Sequence, residues 1–514
     1  MSGAIAFQNI PPNLRVPLFY AEFDPSQAAA SQPVQRTLIV GQATAAVPAT
    51  PVPTFVPSVA WAQQTFGASS QIANMIAAYR ANDTVGEIWA LPLADAATAT
   101  AASGSIAITG TATANGTLAL YVAGVKVPVG VASGQTAAQV ATAVAAAVTA
   151  AISSTALDAQ TYLPVSAAAV SGTVTLTAAN KGTLGNGIGI ALNLLGSRGG
   201  EATPAGLSVV VTAMAGGATD PTLTSIATWL STQAFDFILQ PYSDTTSIGA
   251  FTAMMNDASG RWSYAQQIYG HVFTAKADTV ANLLTLGAGL NDQHCTVLGI
   301  NPLSPSPAWM RLAARVGSIV PSLKAQPNRP LQTLRAFGVL GETSAQDIGF
   351  SNQQALLSAG IALDGPGPNG PQCVRMVTTY QKNSYGVADS SYLDAETMYL
   401  IMAVTRHLKA TVTSQLPRAL LADDGTRLAP TPTGTTPLVV TPSIVKALLI
   451  ADYRVMEALS WVERDDLFSS GLVVQRNSQD ASRLDVLFDP YFIGGLRVFA
   501  TLTQFHLQAQ ASEG

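Results

Sequence analysis

At 514 residues the chain is too long for one hydrophobic core, and about three domains are expected. Charged residues make up 11%, against roughly a quarter in ordinary soluble proteins, while apolar residues reach 48% and mean hydropathy is +0.29, a composition suited to extensive protein contact. A net charge of −5 and a pI near 5.4, with no Lys/Arg block, argue against nucleic-acid binding; the longest weakly polar stretch, VATAVAAAVTAAI, is too short and Thr-interrupted to span a bilayer.

The opening MSGAIAFQNIPPN has neither the basic nor the apolar region of an export signal, so folding in the cytosol is expected. Residues 1–35 read as an arm. Its apolar run LRVPLFYAEF contains Pro17, which cannot donate to a ladder and confines that strand to an edge. From residue 36 the pattern becomes strand, helix, strand: RTLIVGQ, then QIANMIAAYRAND with Ile72, Met75, Ile76 and Tyr79 at helical spacing, then VGEIWALPL. The alternation resumes after residue 220 through FDFILQPY, TSIGAFTAMMND, YGHVFTA, TVANLLTLGAGL, HCTVLGI and SPAWMRLAARVGSIV. Apolar strands separated by helices predict a mainly parallel sheet covered on both faces.

Residues 96–219 differ in chemistry, carrying only five charged side chains: Lys126, Asp158, Lys181, Arg198 and Glu201. Alternating Ala/Thr/Val runs, an Asn115-Gly116 turn expected to close a hairpin, and one helix in TAAQVATAVAAAVTAAI predict an inserted β-rich domain.

Beyond 345, SYLDAETMYLIMAVTRHLKATV places Ser391 three residues before Asp394, a capping-box spacing, ahead of an apolar helix. In TPSIVKALLIADYRVMEALSWVERDD, Thr441 is the expected N-cap and Pro442 the first helical residue, with an apolar stripe of Ile444, Leu448, Ala451, Val455, Leu459 and Val462. RLDVLFD alternates Leu484, Val486 and Phe488 against Arg483, Asp485 and Asp489, which predicts a half-buried strand. After Gly494-Gly495 comes LRVFATLTQFHL, whose twelve residues exceed the usual strand of about five or six. A terminal strand with unpaired N–H and C=O groups needs a partner within the fold or on another molecule.

Catalytic signatures are weak. GPGPNG at 365–370 fits a dinucleotide fingerprint in letters only, because Pro366 and Pro368 lack the N–H groups that cradle phosphate and a helical stretch is expected before it. The histidines, His271, His294, His407 and His506, are scattered, and His294-Cys295 in an apparent strand reads as core. Two cysteines, Cys295 and Cys373, build no disulfide framework. Asp423-Asp424 and Asp465-Asp466 lack the spacing of a calcium loop, and no G-x-S-x-G elbow or subtilisin-type Gly-Thr-Ser stretch occurs. No enzyme activity, cofactor or metal is expected.

The series TTYQKNSYGVADSSYLDAETMYLIMAVTRHL, QLPRALLADDG, TPSIVKALLIADY and VVQRNSQDASRLDVLFDPYFIGGLRVFA, with IPPNLRVPLFYAEFD near the start and GTATANGTLALYVAG and VTLTAANKGTLGN in the insertion, resembles the tail sheath proteins of Mu-like contractile bacteriophages. The resemblance implies an α/β and α+β multidomain fold. Its parts are an N-terminal arm (1–35), a subtilisin-like domain with a mainly parallel sheet flanked by helices (36–95 plus 220–344), an inserted β-rich outer domain (96–219), a C-terminal α+β domain (345–494) and a C-terminal arm (495–514). It further implies a virion protein, assembled in the host cytoplasm, that polymerises as stacked hexameric rings around the tail tube and contracts to drive the tube through the host envelope. Implied partners are further copies of the chain, the tail tube protein, and baseplate and tail terminator proteins, with neither nucleic acid nor membrane insertion. Strand exchange between subunits is carried over to Leu14, Arg15, Val16, Leu18 and Phe19, and to Leu496, Arg497, Val498, Phe499, Ala500, Thr501, Leu502 and Phe505. Gly494 and Gly495 are the implied hinge. The tube-facing helix is expected at 442–463 or 391–409. An exported surface-layer or adhesin-like protein is the alternative, and it lacks the expected export signal.

Overall fold

The run RTLIVGQ becomes the strand Arg36–Gln42, near the middle of a sheet, in a computed structural model that describes residues 34–152, 162–368, 370–427 and 439–506. Contacts divide the chain into Met1–Gln35 and Arg36–Gly514; every element described belongs to the second unit. The expected pairing residues Leu14, Arg15, Val16, Leu18 and Phe19 lie outside the described residues.

Among the described residues the sheet has eight strands, in the order Gln372–Arg375, Ile361–Gly365, Cys295–Ile300, His271–Ala277, Phe237–Leu239, Arg36–Gln42, Glu87–Leu93 and Thr54–Phe55. The inner six run parallel and the two edge strands antiparallel. Burial on both faces follows from the period of two. Ile39 joins Ile72, Met75 and Ile76 of the helix Gln71–Arg80 and Leu312 and Val316 of the helix Ala308–Ala325, whereas Leu38 and Val40 join Phe251 and Met254 of the helix Thr245–Met255.

The strand Ile361–Gly365 lies past the 344/345 boundary drawn from sequence, yet it pairs with Val297, Leu298 and Gly299. That boundary therefore cuts the sheet. The same strand directly precedes GPGPNG, where a helix was expected; the chain then turns back as Gln372–Arg375, and no helix opens there to receive a phosphate.

Residues 103–215 form two further sheets. One orders Leu207–Ala215, Ser103–Gly110, Thr173–Ala178 and Val165–Val170; the other orders Val125–Val131, Gly116–Val122 and Ile190–Leu192. The hairpin expected at Asn115-Gly116 forms instead at Ala123-Gly124, where both φ values are positive (53° and 81°), as a tight two-residue turn of the favoured hand requires. Asn115 connects the two sheets, and its Oδ1 accepts from the Ser133 N–H. The insertion is stitched to the sheet's carboxyl edge. Gln42 Nε2 donates to Asp95 Oδ1 and the Lys181 carbonyl, Asn180 Oδ1 accepts from Gln71 N–H, and its amide donates to the Ala43 carbonyl. Its valines 140, 144 and 148 belong to the same continuous apolar cluster as Ile39 and Trp309.

The C-terminal region rests on the helices Ala395–Gln415 and Pro442–Ala458. Thr441 caps the second through Ile444 N–H, with Pro442 in its first turn as expected. The first does not use its expected capping box: Ser391 Oγ donates to Asp389, and the Asp394 carboxylate is drawn to arginines instead. Val445, Leu449, Tyr453 and Met456 pack with Leu400, Val404, Trp461 and Phe468 into a separate core.

One buried ionic set links helix and sheet. Arg311 and Arg315 are wholly buried; Arg311 reaches Glu342 at 2.5 Å and Arg315 reaches Asp364 at 2.7 Å, with further guanidinium N–H groups donating to the Leu334 and Pro371 carbonyls. Removing one partner strands the other's charge without water. Asp364→Ala should therefore cost about 3–5 kcal/mol, read as a lowered urea midpoint, whereas Arg198→Ala on the exposed surface should move it little.

Candidate functional site

The expected strand RLDVLFD shortens to Leu484–Leu487, which pairs antiparallel with Val473–Arg476 so that Val473 faces Leu487. Leu484 and Phe488 pack on the C-terminal core, while Val486 and Leu487 are exposed. Neither strand has a second neighbour among the described residues, so both outer edges of this hairpin present free main-chain groups.

The chain returns to the body once more. Tyr491–Phe492 pairs with Val462–Glu463, and Ile493 N–H donates to the Trp461 carbonyl. Asn328 Nδ2 donates to the Ile493 carbonyl, and Gln332 Nε2 donates to that of Leu496. Arg497 then turns inward: both its terminal nitrogens lie 3.2 Å from Glu396 Oε1, and Nη2 lies 3.3 Å from Asp394 Oδ2. Asp394 is also held bidentately by Arg375 at 2.8 and 3.0 Å. Glu396 is only 2% exposed, and burial raises its carboxyl above the ordinary value despite Arg497 beside it. Past Arg497 no ladder forms among the described residues. Val498, Phe499, Leu502 and Phe505 are each about four-fifths exposed, Leu496 only slightly less, and Ala500 and Thr501 are exposed too.

Of Leu496, Arg497, Val498, Phe499, Ala500, Thr501, Leu502 and Phe505, the first two are thus fastened to the body and the rest form an exposed, mostly apolar segment. Gly494 and Gly495 lie inside the anchored part before it. The ionic set Arg375, Asp394, Glu396 and Arg497 escaped sequence reasoning, because the two halves are a hundred residues apart with no periodic signal.

A second exposed surface lies on the helix Pro442–Ala458. Along its apolar stripe Ile444, Ala451, Val455 and Leu459 face solvent and Leu448 is half-buried, while Val445, Leu449, Asp452, Tyr453 and Met456 face the core and Val462, past the helix end, is buried. The inward Asp452 accepts from Thr411 and pairs with His407, both on the neighbouring helix, which explains how a carboxylate displaced an apolar residue from the buried face.

The groups singled out for chemistry are packed elsewhere. Cys295 and Cys373 are free and buried. His294 lies under Trp262 and contacts Asp257 at 3.0 Å; His271, fully buried, contacts Thr296 at 2.8 Å. Among the described residues no three of His, Cys, Asp and Glu are grouped to hold a metal ion, and no helix is long and apolar enough to cross a membrane.

No family model matches the chain. Over 508 residues it is 32% identical to the Mu-like prophage FluMu tail sheath protein of Haemophilus influenzae, covering 98% of this chain and 100% of that one. Among solved structures it is similar to a sheath tail protein from Desulfitobacterium hafniense, with TM-score 0.45 and 11% identity over 92% of this chain and 100% of that one. A sheath tail protein from Listeria innocua gives TM-score 0.45 and 9% identity over 90% of this chain and 92% of that one.

His271 sets an acid limit on this fold. Burial first, and His294 second, pull its imidazole from 6.5 down to about 3. The unfolded chain takes up a proton that the folded chain refuses, so the ring's contribution to stability is complete above about pH 6.5 and is lost as pH falls toward 3, by up to about 1.4 kcal/mol per unit. In His271→Phe the urea midpoint should fall less steeply between about pH 6 and 4, by close to one proton's worth. An unchanged slope would mean that the ring titrates normally.

Proposed function

The chain belongs to the tail sheath proteins of Mu-like phages, and from that premise we propose that it is the contractile structural subunit of a phage tail, stacking as hexameric rings around the tail tube between a baseplate and a terminator. Contraction of that cylinder drives the tube through the host envelope, the subunits being assembled in the host cytoplasm and carried in the virion. The work comes from re-packing of rigid bodies rather than from a bound nucleotide.

The single observation that carries this reading is the pairing deficit at the chain's end. Residues 498–505 expose four large apolar side chains and form no ladder, while the hairpin Val473–Arg476 with Leu484–Leu487 has two open edges. An arm from one copy adding to the hairpin of another satisfies both, with main-chain bonds for affinity and alternate side chains for register. Such a head-to-tail contact propagates instead of closing, as a helical cylinder needs. The N-terminal run with Leu14, Arg15, Val16, Leu18 and Phe19 is the second proposed donor. Of the two candidate tube-facing helices, Pro442–Ala458 is favoured by its outward Ile444, Ala451, Val455 and Leu459. The helix Ala395–Gln415 has its first half buried between the sheet and the C-terminal core.

Purified full-length protein should form long striated tubes in electron micrographs. Deleting residues 498–514 should leave a folded species with unchanged circular dichroism that elutes as dispersed subunits; normal tubes from this truncation would overturn strand exchange. On the proposed inner surface, Val455→Glu should preserve folding and subunit pairing but weaken co-sedimentation with the tail tube protein by about tenfold or more, since roughly 1.4 kcal/mol lost at a buried contact is already tenfold.

A further inference from the structure

The glycine pair at 494–495 invites a hinge, yet its surroundings argue otherwise. Neither glycine has a positive φ. A Cβ on Gly495 would stand 2.3 Å from Pro330 Cγ, so this position is glycine because a ring presses on the backbone, while Gly494 faces open space. On both sides the chain is fastened: Asn328 and Gln332 hold the carbonyls of Ile493 and Leu496, and Arg497 closes on Glu396 and Asp394. Glu396 Oε1 also accepts from Leu331 N–H at 3.1 Å, and its Oε2 is buried with no partner. A cavity of about 510 Å³ lies under the segment, lined by Arg375, Glu396, Leu400, Phe492 and Arg497 among others. Turning the chain at the glycines would drag the guanidinium out and leave two carboxylates facing only Arg375, with one of them buried. Turning it after Arg497 breaks none of these contacts.

We propose that Arg497 is a lock that makes residues up to 497 part of the body, so that the exchangeable arm begins at Val498 and leaves in the direction this ionic set imposes. This rests on the strand-exchange reading for its purpose, but the lock itself is a property of the single subunit. It moves the start of the arm from the glycines to Val498 and sets which neighbour can be reached, because the point of departure does not wander.

Trypsin reads the lock directly, since Arg497 is itself a cleavage site and cleavage follows the fraction of time a segment is open. On dispersed full-length subunits, chymotrypsin should cut quickly after Phe499 while trypsin cuts after Arg497 at least about tenfold more slowly. Glu396→Ala should remove that protection. Should Glu396→Ala fail to fold, Arg497→Lys keeps the trypsin site on an exposed segment, lacks the second guanidinium contact, and should be cut faster than wild type. Equal rates at 497 and 499 in the wild-type subunit, or no acceleration in Arg497→Lys, would overturn the lock. Deletion of 498–514 tests the other claim: tubes forming without those residues would sink strand exchange while leaving the lock, read by digestion of the full-length subunit, intact.

Discussion

Asp236 is the point on which this architecture hangs. It precedes the strand Phe237–Leu239 at the amino edge of the sheet and is nearly fully buried. One carboxylate oxygen accepts from Arg36 N–H, which sets the start of the neighbouring strand; the other accepts from Arg406, and its carbonyl takes the Tyr399 hydroxyl at 3.2 Å. Tyr399 stacks on Phe237 at 4.8 Å between ring centres. Arg406 and Tyr399 both lie on the helix Ala395–Gln415, whose first turn carries Glu396, the anchor of Arg497. The path from the base of the arm to the central sheet is thus one helix held by buried charge-assisted bonds.

The opposite edge of the sheet explains why an α/β fold of this kind serves as a building block. In open parallel sheets the crevice beyond the carboxyl ends of the strands is where ligands usually sit. Here Gln42, at the end of its strand, is bonded to Asp95 and Lys181, and the loop after Cys295–Ile300 is pressed by the insertion, with Gly189 against the Pro305 carbonyl and Gly124 against Ser306. The insertion occupies the edge and shares its apolar core with the sheet, so these two parts behave mechanically as one.

Legibility in the sequence followed the strength of the physical signal. Doubly buried strands announced themselves as continuous apolar runs, and Thr441-Pro442 marked a helix start because cap and first turn are local. The errors arose where a distant partner outweighed local chemistry. Asp394 abandoned its capping-box role for Arg375 and Arg497, and Asn115-Gly116 yielded its turn to Ala123-Gly124; on Pro442–Ala458 the apolar stripe left open which way it faced, and Asp452, bonded to His407 and Thr411, takes a place on the buried face. An outward Ile, Ala, Val and Leu read as core on any hydrophobicity scale, since periodicity reports which residues share a face and not what that face meets. The run after Gly495 was legible as an unpartnered apolar segment, though it forms no strand within the described residues. What anchors it was not, because an ion pair across a hundred residues leaves no pattern in the chain.

The energetics of the exposed segment bear on how such an assembly can both hold and rearrange. Fully burying a side chain such as Val498, Phe499, Leu502 or Phe505 is worth about 1.5–3 kcal/mol, while ordering each residue of backbone costs about 1–2 kcal/mol. With eight residues ordered for four such side chains, the two nearly offset one another, and a single arm is a weak clip. Anchoring the chain through Arg497 matters for that balance, because the residues before it are already ordered and add nothing to the cost. On the proposed exchange, every subunit would be both donor and acceptor, so each clip would close within a lattice that its neighbours already hold in place, at a high effective concentration. A sheath built this way gains its cohesion from multiplicity while each individual contact stays light, and that leaves the larger body-to-body interfaces free to set which packing is preferred.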